Sequence, residues 1–307
     1  MPRNQVTNWC SLPGGAAANI ACGLAKLGES VSFVGAVGRD AWGDALVTLL
    51  SDMGVEHGGM QKRLKVPTRE VYITCDRAGR RTFSGFSDSE PALFADAHLF
   101  ADSLDSILFS KADLLVLGTL GMAYLDTRQA MQRAIQFAQG AATPILVDVS
   151  WQPMFWPQPS EAAGYTYDLI SNAQFLKVSR AEAEWLFSTV SAATIAHQLP
   201  HLQGILITDE QQGCQYFLMG NEGHVAGFEV DVEDTTGARD AFTAGFIHQL
   251  LRLSANDSGA QPNEAIACQA VTYACAAAAL TTTRMGAIAA LPTTTEIEAF
   301  LYLRAAR

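Results

Sequence analysis

Charged residues are scarce in this chain of 307 residues, since only 17% of them are Asp, Glu, Lys or Arg. The 20 basic residues are outnumbered by 31 acidic ones, which leaves a formal net charge of −11, and the basic residues form no dense run. A protein with this charge is poorly suited to non-specific binding of nucleic acid or an anionic membrane. We therefore expect neither as a partner.

Paired cysteines with metal-binding or redox spacing are also missing. The six cysteines are scattered and contain no CxxC pair, which is typical of reduced, mostly buried thiols in the cytosol. Residues 1–8 are polar and lack the apolar core of a signal peptide, and the Ala-rich stretch 274–280 is too short to span a bilayer. The sequence predicts a cytoplasmic protein.

What the chain does contain is a high hydrophobic fraction, 49%, arranged in two alternating patterns. Short apolar segments are typical of buried strands, and the stretches between and after them have a helical period. The alternation predicts an α/β fold, with a mostly parallel central sheet and helices on both faces. The predicted strands are 31–37, 114–117, 144–149, 175–178 and 205–208. The predicted helices are 42–53, 127–139, 181–186, 238–253, 264–281 and 295–303.

One segment breaks this alternation. Residues 70–75 and 81–86 are β-rich and flank a turn at 76–79, which predicts a hairpin. A flap over the edge of the sheet and an ordinary hairpin are both compatible with this pattern.

The first motif of chemical interest is Gly14-Gly15 followed by three alanines and Asn19. Two glycines at the start of a small-residue helix allow a ligand or another backbone to approach closely. Asn19, one turn into that helix, offers both a donor and an acceptor to hydroxyl groups. A tightly packed helix and a ligand site remain alternatives at this point.

The second motif, residues 234–242, reads Asp-Thr-Thr-Gly-Ala-Arg-Asp-Ala-Phe and leads into a predicted helix. A small-residue turn at a helix start presents unpaired N–H groups that bind anions. Asp240 could simply cap that helix. Alternatively, it could accept a hydroxyl proton while the adjacent amides stabilise a transferring phosphoryl group.

Together these two motifs resemble the paired signatures of the ribokinase, or PfkB, family of carbohydrate kinases. The second motif is similar to the family pattern Asp-Thr-x-Gly-Ala-Gly-Asp, and segments in the family order cover nearly the whole chain. Residues 67–69 and 151–157 are closest to fructokinases. Further matching segments are Gly28, 34–43, 148–152, 177–179 with Glu182, Thr208 with Gly213, and 286–288 before Pro292.

The resemblance implies one ribokinase-like domain over 1–307, with residues 66–90 contributing a small β-hairpin lid. It assigns Asp240 as the catalytic base beside an anion hole, and Glu182 as a magnesium contact through water. By resemblance, the anion hole is Gly237, Ala238 and Arg239, and the sugar is bound by Gly14, Gly15 and Asn19. The nucleotide-binding residues implied in the same way are Ser179, Glu182, Thr208, Gly213, Cys275 and Gly286.

The implied reaction is ATP-dependent phosphorylation of a hexose, with fructose converted to fructose 6-phosphate. ATP and Mg²⁺ are the implied cofactors, with K⁺ a further candidate. The implied partners are the sugar and ATP, and pairing of lid hairpins between subunits would give a homodimer.

Several departures from the family pattern favour a second hypothesis, a catalytically impaired kinase fold that acts as a binding or scaffold protein. The family's first strand and its sugar-binding Asp are expected to be missing. Arg239 replaces a glycine, where a side chain would cost roughly 1 kcal/mol if a positive φ were required. It could also occupy the γ-phosphate position, or bind phosphate itself. The smaller departures are Ser150, Gln152, Ser179 and Glu210.

Overall fold

The computed structural model describes residues 9–75, 81–87, 90–255 and 263–305. Its strands are β1 (Ser32–Gly38), β2 (Glu56–Arg63), β3 (Val71–Cys75), β4 (Arg81–Phe86), β5 (Leu115–Gly118), β6 (Ile145–Asp148), β7 (Phe175–Ser179), β8 (Gly204–Asp209), β9 (Gly213–Leu218) and β10 (Asn221–Val225). Its helices are α1 (Ala16–Lys26), α2 (Ala41–Asp52), α3 (Ser106–Ser110), α4 (Leu125–Gly140), α5 (Ala162–Ile170), α6 (Arg180–Phe187), α7 (Ala192–Gln198), α8 (Ala238–Ala255), α9 (Glu264–Thr282) and α10 (Thr294–Ala305).

The main sheet has six strands in the order β10-β9-β8-β7-β6-β5. The pairings from β5 to β8 are parallel, and β9 and β10 are added in antiparallel orientation. This mixed sheet, with helices packed around it, confirms the predicted α/β class. Its parallel strands direct the carboxyl ends of β6, β7 and β8 to one edge, where ligands bind in open α/β sheets.

Two hydrophobic cores lie on opposite faces of this sheet. Val147, Leu176 and Ile205 belong to the core that includes residues of α4 to α7. Leu146 and Leu206 belong to the core that includes residues of α1, α8 and α9. Because adjacent residues of a strand point to opposite faces, β6, β7 and β8 are apolar on both sides and are covered by helices on each.

Strands β1 and β2 form a separate parallel pair. Residues of β1 and of β5 line the same cleft, and α1 contacts both strands. Within the described residues, β1 and β5 are each paired on one side only. The absence of the family's first strand stays a prediction.

The hairpin predicted between 70 and 86 is present as the antiparallel pair β3–β4. Phe83 and Phe86 pack edge-on against Phe155, with ring centroids 6.2 and 5.0 Å apart. These contacts attach the hairpin to the loop that follows β6. The turn at 76–79 lies outside the described residues, and the role of the hairpin as a lid stays a prediction.

Helix α9 has the length and hydropathy of a membrane span, but 56% of its apolar window is buried inside the protein. It packs mainly against α8. The same composition is typical of the core helix of a soluble protein. The elements that the hydrophobic pattern did not predict are β2, β9, β10, α3, α5 and α7.

Candidate active site

The two sequence motifs meet where α1 packs against α8. The approach is close because Gly23 has no side chain: a Cβ at that position would lie 2.8 Å from Cβ of Ala244. Near the start of both helices, Asn19 Nδ2 donates a 2.6 Å hydrogen bond to Asp240 Oδ2. The packing therefore brings together a predicted sugar contact and the predicted base.

Asn19 retains an unused acceptor at this junction. Asn19 is only 5% exposed, and its Oδ1 atom is buried without a hydrogen-bond partner among the described residues. Gly15 precedes it as the N-cap of α1 with φ +120°, and open space lies where a Cβ of Gly14 or Gly15 would project. An unpaired buried acceptor beside open space is suited to a ligand hydroxyl.

The start of α8 is built as a turn that only glycine fits well. Gly237 has φ +79°, and a Cβ there would meet Cα and Cβ of Ala287 at 3.0 Å. The Ala238 amide donates a 3.4 Å hydrogen bond to the Thr235 carbonyl. The first-turn amides of Arg239 and Asp240 precede the regular intrahelical bonding and are available to an anion.

Asp234 ties this turn to the neighbouring loop. Its Oδ1 accepts hydrogen bonds from the Thr236 amide at 2.9 Å and from the Thr236 hydroxyl at 2.5 Å. Its Oδ2 accepts from the Gly286 amide at 2.9 Å. The carboxylate thereby fixes the position of Gly237 relative to the loop at 286.

The pKa of the Asp240 carboxyl is shifted by its surroundings. Burial raises the pKa of Asp240 to about 6. The negative charge of Asp148 adds to that rise, whereas the hydrogen bond from Asn19 and the charges of Lys177 and Arg239 oppose it. A carboxylate with this pKa is a stronger base than an ordinary Asp and is still largely ionised at pH 7.

A buried ion pair supports α8 from the sheet. Lys177 Nζ in β7 donates to Asp148 Oδ1 in β6 at 2.8 Å, and the two side chains are 1% and 4% exposed. Thr243 Oγ1 in α8 donates to the other oxygen, Asp148 Oδ2, at 2.7 Å. This network fixes the distance between the first turns of α8 and the carboxyl ends of the parallel strands.

Glu182 lies at the start of α6 in a capping box with Ser179. Its Oε1 accepts from the Trp151 amide at 2.8 Å, and its Oε2 accepts from the amide and hydroxyl of Ser179, both at 2.7 Å. Arg239 Nη2 also donates to Oε2 at 2.7 Å. Burial alone would raise the pKa of Glu182, but the Arg239 charge and these donors hold it below its usual range.

Arg239 occupies an ordinary helical position in α8, and its φ is not positive. The strain considered for a side chain at this position is therefore absent. Its guanidinium is turned toward Glu182 and the Val149 carbonyl, which accepts from Nη2 at 2.9 Å.

The β8–β9 connection brings together Thr208 and Gly213, two residues that the family resemblance assigns to nucleotide binding. Gly213 has φ +91°, and a Cβ there would lie 2.0 Å from the Val225 carbonyl oxygen, so glycine is required. Cys275 in α9 is 6% exposed, and burial raises the pKa of its thiol to about 12. Cys275 is thus an inert wall residue rather than a reactive thiol.

One continuous cleft collects most of the residues that the sequence predicted. Glu182 and Gly286 do not line it, and they act on the cleft through Arg239 and Asp234 respectively. The predicted residues that do line it are Gly14, Gly15, Asn19, Ser179, Thr208, Gly213, Gly237, Ala238, Arg239, Asp240 and Cys275.

Four supporting residues were given no role by the sequence motifs. Asp148 and Lys177 were named only within segments that resemble the family. Asp234 lies in the second motif, and Thr243 lies just after it. A sequence signal for the Asp148–Lys177 pair was nevertheless present. Lys177 lies inside an otherwise apolar strand, and Asp148 ends the strand before it in the chain. Such charges are rarely fully buried unless they are paired.

Comparison with known proteins points to one family. The model of the pfkB family of carbohydrate kinases matches residues 2–294. Fructokinase-1 of Zea mays is 31% identical over 288 residues, covering 93% of this chain and 87% of the relative.

Two solved fructokinases share the fold. One, from Xylella fastidiosa with bound ATP, has a TM-score of 0.86 and 26% identity, covering 96% of this chain and 92% of that one. The other, a double mutant from Vibrio cholerae O395 with fructose, ADP and a potassium ion, has a TM-score of 0.83 and 27% identity, covering 98% and 94%.

Fold and cleft together define a ribokinase-like carbohydrate kinase, an enzyme that transfers phosphate from ATP to an alcohol. The chain belongs to the pfkB family of carbohydrate kinases and is most similar to fructokinases.

Proposed function

We propose that this enzyme is a fructokinase that transfers the γ-phosphate of ATP to the 6-hydroxyl of fructose. The observation that carries the proposal is the Asn19–Asp240 hydrogen bond at the amide-lined start of α8. This contact supports the proposal because Asp240, the unpaired Oδ1 of Asn19 and the turn at Gly237 all line one cleft.

In this proposal Asp240 is the catalytic base. A sugar hydroxyl is a weak nucleophile, so a carboxylate must accept its proton as the oxygen attacks the γ-phosphorus. The P–O bond to ADP then breaks, and the proton remains on Asp240. The amides of Gly237 and Arg239, on either side of Ala238, stabilise the charge that develops on the phosphoryl oxygens.

Sugar recognition is assigned to the start of α1. The Oδ1 atom of Asn19 accepts a hydroxyl hydrogen, and the open space at Gly14 and Gly15 admits the sugar ring. Fructose is favoured among the hexoses because the related Vibrio cholerae enzyme was solved with fructose and ADP.

Mg²⁺ is expected to enter with ATP as part of the substrate, where it neutralises phosphate charge. The described residues contain no group of three or more His, Cys, Asp or Glu side chains able to hold a metal. Glu182 is the carboxylate proposed to contact the ion through water, and it already accepts four hydrogen bonds. K⁺, bound in the Vibrio cholerae structure, is a further candidate.

The β3–β4 hairpin is proposed as the lid over the sugar and as the pairing surface of a homodimer. Its attachment to Phe155 places it beside the loop after β6, on the cleft side of the sheet. A cytoplasmic location is part of the same proposal. The alternative of a silent scaffold gains no support from the comparisons.

Release of ADP by purified protein, measured with ATP, MgCl₂ and a panel of free sugars, tests this function. We expect release that depends on fructose and is much slower with ribose or glucose. If no sugar stimulates ADP release above the rate with ATP alone, the proposed function is wrong.

A further inference from the structure

The Arg239 guanidinium is anchored at one nitrogen only. Its Nη2 donates to Glu182 Oε2 and to the Val149 carbonyl. Among the described residues, neither Nε nor Nη1 has a hydrogen-bond partner, which leaves three of the five N–H donors unused.

The unused donors are accessible from the cleft. The Arg239 side chain is 45% exposed, whereas its Glu182 partner is 4% exposed, and Arg239 lines the cleft. Burial lowers the pKa of Arg239, but the neighbouring charges of Glu182 and Asp148 bring it above its ordinary value, so the group is always cationic. An arginine fixed at one nitrogen and open at the others loses little side-chain freedom when it binds an anion.

The anchor also removes the main objection to a side chain at this position. Arg239 has helical backbone geometry, and its side chain leaves the first turn of α8 toward Glu182 at the start of α6. The guanidinium therefore stands between the starts of two helices, α6 and α8, both of which favour negative charge.

We propose that Arg239 is a phosphate-binding residue that contacts the terminal phosphate of the nucleotide and acts beside the backbone amides of α8. This inference rests on the proposed function only in taking a nucleoside triphosphate as the ligand. It replaces the interpretation of Arg239 as an obstruction of the anion hole.

Calorimetric titration of ATP and of ADP, in EDTA and without sugar, tests this assignment in wild type and Arg239→Ala. We expect Arg239→Ala to weaken ATP binding about tenfold or more, because a charged hydrogen-bond donor is lost. ADP binding should change by less than about threefold. Arg252→Ala is the control, since it removes one exposed charge near the far end of α8.

Arg239→Ala leaves the Glu182 carboxylate buried without its cation, and this variant could fail to fold. Arg239→Gln is the second variant, because it can still donate to Glu182 but lacks the charge, and the same loss of ATP affinity is expected. Unchanged or tighter ATP binding in either folded variant would overturn the proposal. Equal weakening of ATP and ADP would overturn it as well, since the contact would not then be to the terminal phosphate.

The outcome is separable from that of the proposed function. A protein that binds ATP in this Arg239-dependent manner but phosphorylates no sugar would disprove the fructokinase assignment alone. A protein that phosphorylates fructose, with ATP affinity indifferent to Arg239, would disprove the phosphate contact alone.

Discussion

Asn19 Nδ2 in α1 lies 2.6 Å from Asp240 Oδ2 in α8, although the two residues are 221 positions apart in the chain. The hydrogen bond stabilises the ionised form of Asp240 and so opposes the rise in its pKa that burial causes. A single contact therefore positions the proposed base and adjusts the pH at which it would work.

Replacing Asn19 by Ala should move the acidic limb of the pH profile upward. In wild type, kcat/KM for the sugar should fall below pH about 6, where the free enzyme's Asp240 becomes protonated. Without the Asn19 donor, the acidic limb should shift up by roughly one pH unit. The reason is that a hydrogen bond to the ionised carboxylate is worth about 1–1.5 kcal/mol, which corresponds to about one unit of pKa. Asn172→Ala, at the amino end of β7, is the control, and an unmoved limb in Asn19→Ala would contradict the assignment.

Asp240→Asn should make the protein more stable near neutral pH. The folded pKa of about 6 lies above the unfolded value of about 4, so ionisation of Asp240 costs folding stability that grows between those values. Because Asp240 is partly exposed, we reduce the expected effect for solvent screening. Removing its charge should then raise the free energy of unfolding by about 1–2 kcal/mol at pH 8. Thermal unfolding should show this gain shrinking toward pH 4.5, and a gain independent of pH would contradict the assignment to Asp240. Asp209→Asn, which removes a half-exposed carboxylate at the end of β8, is the control.

Gly237→Ala should damage the site beyond its backbone strain. Gly237 and Gly220 both have positive φ, at +79° and +84°, but only at Gly237 would a Cβ meet a neighbour, Ala287, at 3.0 Å. Both Ala variants should lose about 1 kcal/mol of stability, and only Gly237→Ala should also lose tenfold or more in kcat. Equal activities of the two variants would show that the turn is not part of the phosphate site.

Lys177→Met should destabilise the protein strongly. It leaves Asp148 charged and buried without its cation, a change that typically costs 3–5 kcal/mol. Adding Asp148→Asn should recover much of that loss, because no unpaired charge remains and the amide can still accept from Thr243. Urea unfolding of both variants measures the difference; a double variant no more stable than the single one would contradict the pairing.

The sequence predicted the parts of this fold whose signals are local. Apolar strand runs and helical periods located the central strands and the long helices, and the hairpin followed from two β-rich runs around a turn. Strand β2 was not predicted, because Glu56–Arg63 carries three charged residues and two glycines in eight positions. Its pairing with β1 arises from tertiary structure rather than from propensity.

The candidate site shows the same division. The glycines and the Asp240 motif could be found from spacing alone, and the resemblance assigned their roles. The Asn19–Asp240 bond and the Arg239–Glu182 pair could not be found in that way, since both join residues from distant parts of the chain. The strain that a positive φ would have caused at Arg239 does not arise, because the helix begins early enough to give this residue an ordinary backbone.

The most direct test of the central claim is product formation from fructose and ATP, followed by ³¹P NMR, with wild type and Asp240→Asn compared at matched concentrations. Wild type should produce a phosphate monoester at the sugar's 6-position. Asp240→Asn, folded and still able to bind ATP, should produce it at least a hundredfold more slowly, the usual contribution of a general base. Equal rates in the two proteins would contradict the account.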